Sequence, residues 1–200
     1  MLPSDPEPRL APIAPEQFTQ ETQQFFDRWS GGFFKGADKH PVLRTLAHHP
    51  KLADLFSQLN VHLLTTNTVP VKLRQIAIMR AAWITEAAFM WSSHLNTSAV
   101  VGLEPDMYRP LQVGADDPYF TDFERVVIRA TEDLVRHQEI GTANWNALMA
   151  QWTSEQVLDF MFTVGTYVTI AGVMKSARIQ RMPQLLELAD RYGAPAPASD

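Results

Sequence analysis

Apolar residues recur at helical spacing along almost the whole chain. Phe18, Phe25, Phe26 and Trp29 make one stripe that stops at Gly31-Gly32. A short helix is expected around Val42 to Ala47, and Pro50, suited to a first turn, opens another through Leu64. Pro70 begins the longest periodic segment, PVKLRQIAIMRAAWITEAAFMWSSHLNTSAVVG, which Gly102 closes as a C-terminal cap. That segment exceeds an ordinary globular helix, so a break is expected between Trp83 and Ala88. Glu104 to Val113 reads as a brief helix before the turn GADDP. Thr121-x-x-Glu124 and Thr153-x-x-Gln156 are capping boxes that start helices of roughly 121–139 and 154–179, with a shorter one from Asn144 to Trp152 between them. TVGTYVTIAGV is rich in β-branched residues, yet its capped start and its length favour a buried helix over a strand. The pattern predicts an all-α, single-domain helical bundle of six to eight helices.

Composition adjusts this picture at the ends. Five prolines within residues 2–15 predict an extended N-terminal arm over residues 1–15. The helical domain then runs over 16–182, and 183–200 is expected to hold a short helix and a flexible Pro/Ala tail. At 46% hydrophobic, 200 residues can bury a core without a staple. The net charge of -5 and the scattered Lys and Arg argue against a nucleic-acid surface. The opening residues lack a secretory pattern, and the apolar run Phe160 to Met174 falls short of the ~18–20 residues of a membrane span. A cytoplasmic protein without membrane contact is expected.

Cysteine is absent, which removes disulfides, thiolate metal sites and cysteine nucleophiles. His40, His48, His49, His62 and His137 show no metal-ligand spacing, and no phosphate loop or G-x-S-x-G elbow is present. Neither a metal nor a cofactor is expected. What remains is His94, at the end of TEAAFMWSSH. On an ideal helix His94, Met90, Ala87 and Trp83 share one face, and apolar neighbours would keep the imidazole neutral and basic. The bland alternative is a satisfied core histidine. Gln75 lies nineteen residues earlier, roughly 100° away on a straight helix, so the two meet only if the helix breaks or a neighbouring subunit supplies one of them. Arg80 is a candidate clamp for a substrate carboxylate, or else a salt-bridge partner. Tyr167 can offer a hydroxyl to a pocket or pack as an apolar body. Lys175 can form a Schiff base if desolvated, although snorkelling to the surface is the commoner fate.

The segments HPVLRTLAHHPKLADLF, VKLRQIAIMRAAWITEAAFMWSSH and VGTYVTIAGVMKSARI resemble, in order and spacing, the carboxymuconolactone decarboxylase-like family of the alkyl hydroperoxidase D-like superfamily. The likeness runs from about His40 to Ile179. It implies an all-helical oligomer, a trimer or hexamer by family habit with a dimer also open, and an active pocket near a subunit interface. The family's R-E-(I/L)-x-I-L-R motif corresponds to Arg74 through Arg80, and its E-Y-E-W-x-x-H motif to Ala88 through His94. The redox cysteines of the peroxidase branch fall on Ala87 and Met90, the first-motif Glu on Gln75, two further carboxylates on Ala88 and Met90, and a late Asn on Lys175. Thiol peroxidase chemistry is therefore excluded.

The resemblance and the residues together imply a cofactor-free lyase or isomerase acting on a small, relatively apolar organic molecule. His94 would be its general acid/base and Gln75 its companion. Arg80, Trp83, Met90, Trp91 and Tyr167 would line the substrate. The alternative is a non-catalytic oligomer that uses the same fold for ligand binding or assembly.

Overall fold

A computed structural model describes residues 5–31 and 35–196. Gly32, the first four residues of the expected arm and the last four of the expected tail lie outside the described residues. The described residues are all-helical, with ten α-helices: α1 Gln20–Trp29, α2 Pro41–Leu46, α3 Pro50–Val61, α4 Val71–Ile84, α5 Ala88–Ser98, α6 Tyr108–Val113, α7 Asp122–His137, α8 Thr142–Met149, α9 Ser154–Ala177 and α10 Pro183–Tyr192. Ten exceeds the expected six to eight, although each of the ten falls on a segment whose pattern reads as helical.

The chain groups into two compact units. In the smaller, residues 5–67 with 176–180, Phe25, Phe26, Leu43, Ala47 and Ala53 form the core. Residues 5–15 of the Pro-rich arm belong to this unit. Ile13 is buried and its carbonyl accepts a bond of 2.7 Å from Arg44 Nε, while the Ala11 carbonyl lies 2.9 Å from His48 Nε2. Proline-rich backbone has few donors of its own, so its carbonyls are satisfied from outside.

In the larger unit, residues 68–175 with 181–196, α4 is the axis and packs against α5, α6 and α7. Nine consecutive α4 residues, Arg74 through Ala82, are buried. A helix enclosed on every side has no polar face, so its apolar residues lose the one-sided stripe of a surface helix. Val127, Ala130, Leu148, Trp152, Val157, Phe160 and Val164 continue the core from α7, α8 and α9. Both capping boxes form: Thr121 Oγ1 accepts from Glu124 N while Glu124 Oε2 accepts from Thr121 N, and Thr153 and Gln156 pair in the same way. Gly102 takes the left-handed conformation at φ 78°, as a helix-ending residue does.

The α9 helix corrects one expectation. It has 24 residues and a mean hydropathy of 1.6 over its most apolar 18, so length and composition alone would let it cross a bilayer. The run Phe160 to Met174 understated it, because the helix also takes in Val157 and Leu158 before the run and Ala177 after it.

Candidate functional site

The break between α4 and α5 creates the site. Thr85 ends α4, its hydroxyl turned back onto the Ala81 carbonyl at 2.7 Å, and Glu86 adopts φ 55°. The freed Thr85 carbonyl accepts a 2.7 Å bond from Lys175 Nζ, which also lies 3.8 Å from Glu86. Lys175 thus places a cation on the carboxyl end of a helix dipole, a structural rather than a nucleophilic position. The chain then reverses, and α5 runs back beside α4.

That reversal brings Gln75 to His94. The Gln75 amide nitrogen donates to the His94 carbonyl at 3.2 Å and to Ser98 Oγ at 3.1 Å, leaving its oxygen 3.3 Å from His94 Nδ1. An amide oxygen accepts only, so Nδ1 carries the proton and Nε2 keeps the lone pair. Tyr167, from α9, meets the imidazole edge-on, with ring centroids 5.1 Å apart and planes 74° apart. Burial, and after it the positive charge of Arg74, push the His94 pKa down to about 4. Burial also draws the Arg74 guanidinium below its ordinary value, opposed by Tyr167 and Asp159, and lifts the Tyr167 phenol well above the usual tyrosine range. Ser98 completes the group, its hydroxyl donating to the His94 carbonyl with Met79 Sδ also within reach.

The other expected site residues lie elsewhere. Arg80 is 5% exposed and committed: its Nε and a terminal nitrogen reach Glu132 at 2.8 and 2.7 Å, and its other terminal nitrogen donates to the carbonyls of Leu111 and Gln112. Gly114 is obligatory beside it, since a Cβ there would come within 2.5 Å of the guanidinium and φ is +111°. Trp91 is fully buried, with its indole nitrogen donating to the Gly193 carbonyl at 2.8 Å. Met90 sits one turn before His94 but is sunk in the core. Trp83 packs edge-on to Trp91 at 5.0 Å and lines an open cleft of about 440 Å³ with Arg80, Ile84, Glu86 and Arg136. The single face of Trp83, Ala87, Met90 and His94 required an unbroken helix. With the break, Trp83 stands eight residues from Gln75 on α4, about 12 Å along the axis.

The structure therefore unites His94, Gln75 and Tyr167 and adds Arg74 and Ser98. Arg74 had one sequence signal: a charge in a helix apolar on all sides must find partners. Ser98 had none.

Folding stability offers a substrate-free check on the imidazole. An unfolded chain takes up a proton at His94 below the ordinary value of 6.5, the folded chain only near 4, so this residue's contribution falls as pH drops across that window. The loss amounts to roughly 3 kcal/mol at most. His94→Gln should shed that part of the acid sensitivity, narrowing its stability gap to the wild type in urea titrations between pH 7 and 4. Parallel losses in the two proteins would assign the effect to other groups.

No protein-family model and no curated protein sequence matches the chain. Solved structures do. An uncharacterized peroxidase-related protein from Silicibacter superposes with a TM-score of 0.71 at 15% identity, over 96% of this chain and 94% of that one. The alkylhydroperoxidase AhpD core of a peroxidase-related protein from Ralstonia eutropha gives 0.70 at 12% identity, over 88% and 94%. The debrominase Bmp8, solved as a variant with 2,3,4-tribromopyrrole, gives 0.70 at 11% identity, over 95% and 100%. The scaffold is thus one on which an enzyme is known. Along nearly its whole length the chain has the alkyl hydroperoxidase D-like fold, in a form without a single cysteine.

Proposed function

We propose that the chain is a cofactor-free acid–base enzyme, a lyase or isomerase, acting on a small organic molecule through Nε2 of His94. The observation that carries this reading is the Gln75 amide. With its nitrogen held by the His94 carbonyl and Ser98, it offers only its oxygen to Nδ1, which leaves Nε2 as the basic atom. Gln75 is then a positioning residue.

A base with a pKa of about 4 is weak at neutral pH. It works best when the proton it removes leaves negative charge near Arg74, because that charge offsets the field depressing the imidazolium. This selects an activated carbon acid, with the proton next to a carbonyl or conjugated to one, such as an unsaturated lactone. Tyr167 and the core around it supply the apolar wall that such a substrate's carbon skeleton needs.

A panel of unsaturated lactones and carbonyl-activated carbon acids, followed by absorbance, tests the reading. With a turned-over compound, kcat/KM should rise with pH along an acid limb near 4 and stay flat through neutrality. An acid limb at the ordinary histidine value of 6.5, or none, would remove His94 from the chemistry. The second reading is a non-catalytic ligand-binding or assembly protein. It draws on the commitment of Arg80, Met90 and Trp91 to packing, and it expects compounds of the panel to bind without change.

A further inference from the structure

Helix α9 buries one side and leaves the other bare. Leu158 and Phe162 are 52% and 59% exposed, and Gly165, Thr169 and Gly172 continue the open strip. These positions follow one another at steps of four, three, four and three, the spacing of a coiled-coil seam. No charged side chain lies on the strip between Leu158 and Gly172, and Glu155 bounds it one step earlier. Nothing among the described residues explains the two glycines. Each weakens a helix interior relative to alanine, and a Cβ at either would meet nothing within 4 Å. Thr169 ties its hydroxyl to the Gly165 carbonyl at 3.0 Å, so that polar group is already satisfied within the helix.

Sizes along the strip are arranged about its centre. The bulky residues occupy the first half and the small ones the second, with Gly165 between them. We propose that α9 pairs with α9 of a second copy of this chain, antiparallel about a two-fold axis at Gly165. Leu158 then lies over the partner's Gly172 and Phe162 over the partner's Thr169. Gly165 faces its own symmetry mate, where the missing side chains let the backbones approach closely. A second copy of the chain, turned end for end, presents this inverted order of large and small. A membrane surface fits the face less well: its flanks, Glu155 and Asp159, are acidic, whereas interfacial helices border their apolar face with Lys and Arg.

The absence of native cysteine permits a direct test. Full-length Leu158→Cys and Gly172→Cys chains, one of them tagged, are co-produced and mildly oxidised. Mixed disulfide pairs are expected to dominate at least tenfold over pairs of like chains. The two copies of residue 158 stand fourteen residues, about 21 Å, apart along the paired axes, too far to join. In sedimentation velocity the wild-type particle mass should halve in Phe162→Glu, with helicity by circular dichroism unchanged because Phe162 supports no core. Like-chain disulfides only, or no disulfides, overturn the pairing. So does a wild type that is monomeric throughout, or a Phe162→Glu particle of unchanged mass. A monomer that binds phosphatidylcholine vesicles through this face overturns it in favour of the membrane.

Discussion

His94→Gln should lower kcat/KM by about 10²–10⁴-fold on any compound the protein turns over, the usual contribution of a positioned general acid or base. Glutamine nearly matches imidazole in length, stays neutral and can still meet the Gln75 oxygen, so the fold should persist and circular dichroism should be unchanged. The loss should fall on kcat more than on KM, since the imidazole acts on the reacting proton. Gln75→Glu supplies the complementary result. A carboxylate against Nδ1 favours the imidazolium, so the acid limb should move up from about 4 while activity at neutral pH persists. A purely structural Gln75 would leave the limb in place. Full activity in His94→Gln would end the acid–base reading and leave the binding protein.

Arg80→Met should cost about 3–5 kcal/mol of folding free energy, the penalty for leaving one member of a buried ion pair alone. The methionine fills the volume but strands the Glu132 carboxylate, which among the described residues keeps only Arg136 at 3.3 Å, and unpairs the last carbonyls of α6. Three helices, α4, α6 and α7, lose their common fastening. Arg80→Met combined with Glu132→Leu should recover much of the loss, because no orphaned charge remains. Urea denaturation at constant m-value measures both variants. A single-variant cost under about 1 kcal/mol would mean that the guanidinium is better solvated than its 5% exposure implies.

Local chemistry was legible along the chain, and long-range partners were not. Capping boxes at Thr121 and Thr153 and the Gly102 terminus follow from the preferences of a few adjacent residues and stand where those preferences put them, while the break before Ala88 is legible from the length of the periodic segment. The β-branched stretch of α9 is helical because burial outweighs its modest propensity cost. Gln75 and His94 were legible as a pair only on condition that the helix broke or a neighbouring subunit supplied one of them. Arg80 shows what spacing cannot reveal: Glu132 lies fifty-two positions away, and nothing between them announces the pairing. Trp91 likewise resembled a pocket wall until the Gly193 carbonyl was seen to hold its indole. The resemblance pointed to the segment that holds Gln75 and His94, which the fold brings together.

The turn at Thr85 to Ala87 makes most of the site a neighbourhood affair. Arg74, Gln75, His94 and Ser98 come from one stretch of twenty-five residues folded back on itself, and only Tyr167 arrives from far along the chain. Closing so short a loop removes little chain entropy, whereas bringing in Tyr167 means ordering the seventy-odd residues after His94. The tautomer of the imidazole is thus fixed by a helical hairpin, to which α9 adds the Tyr167 ring that meets it edge-on.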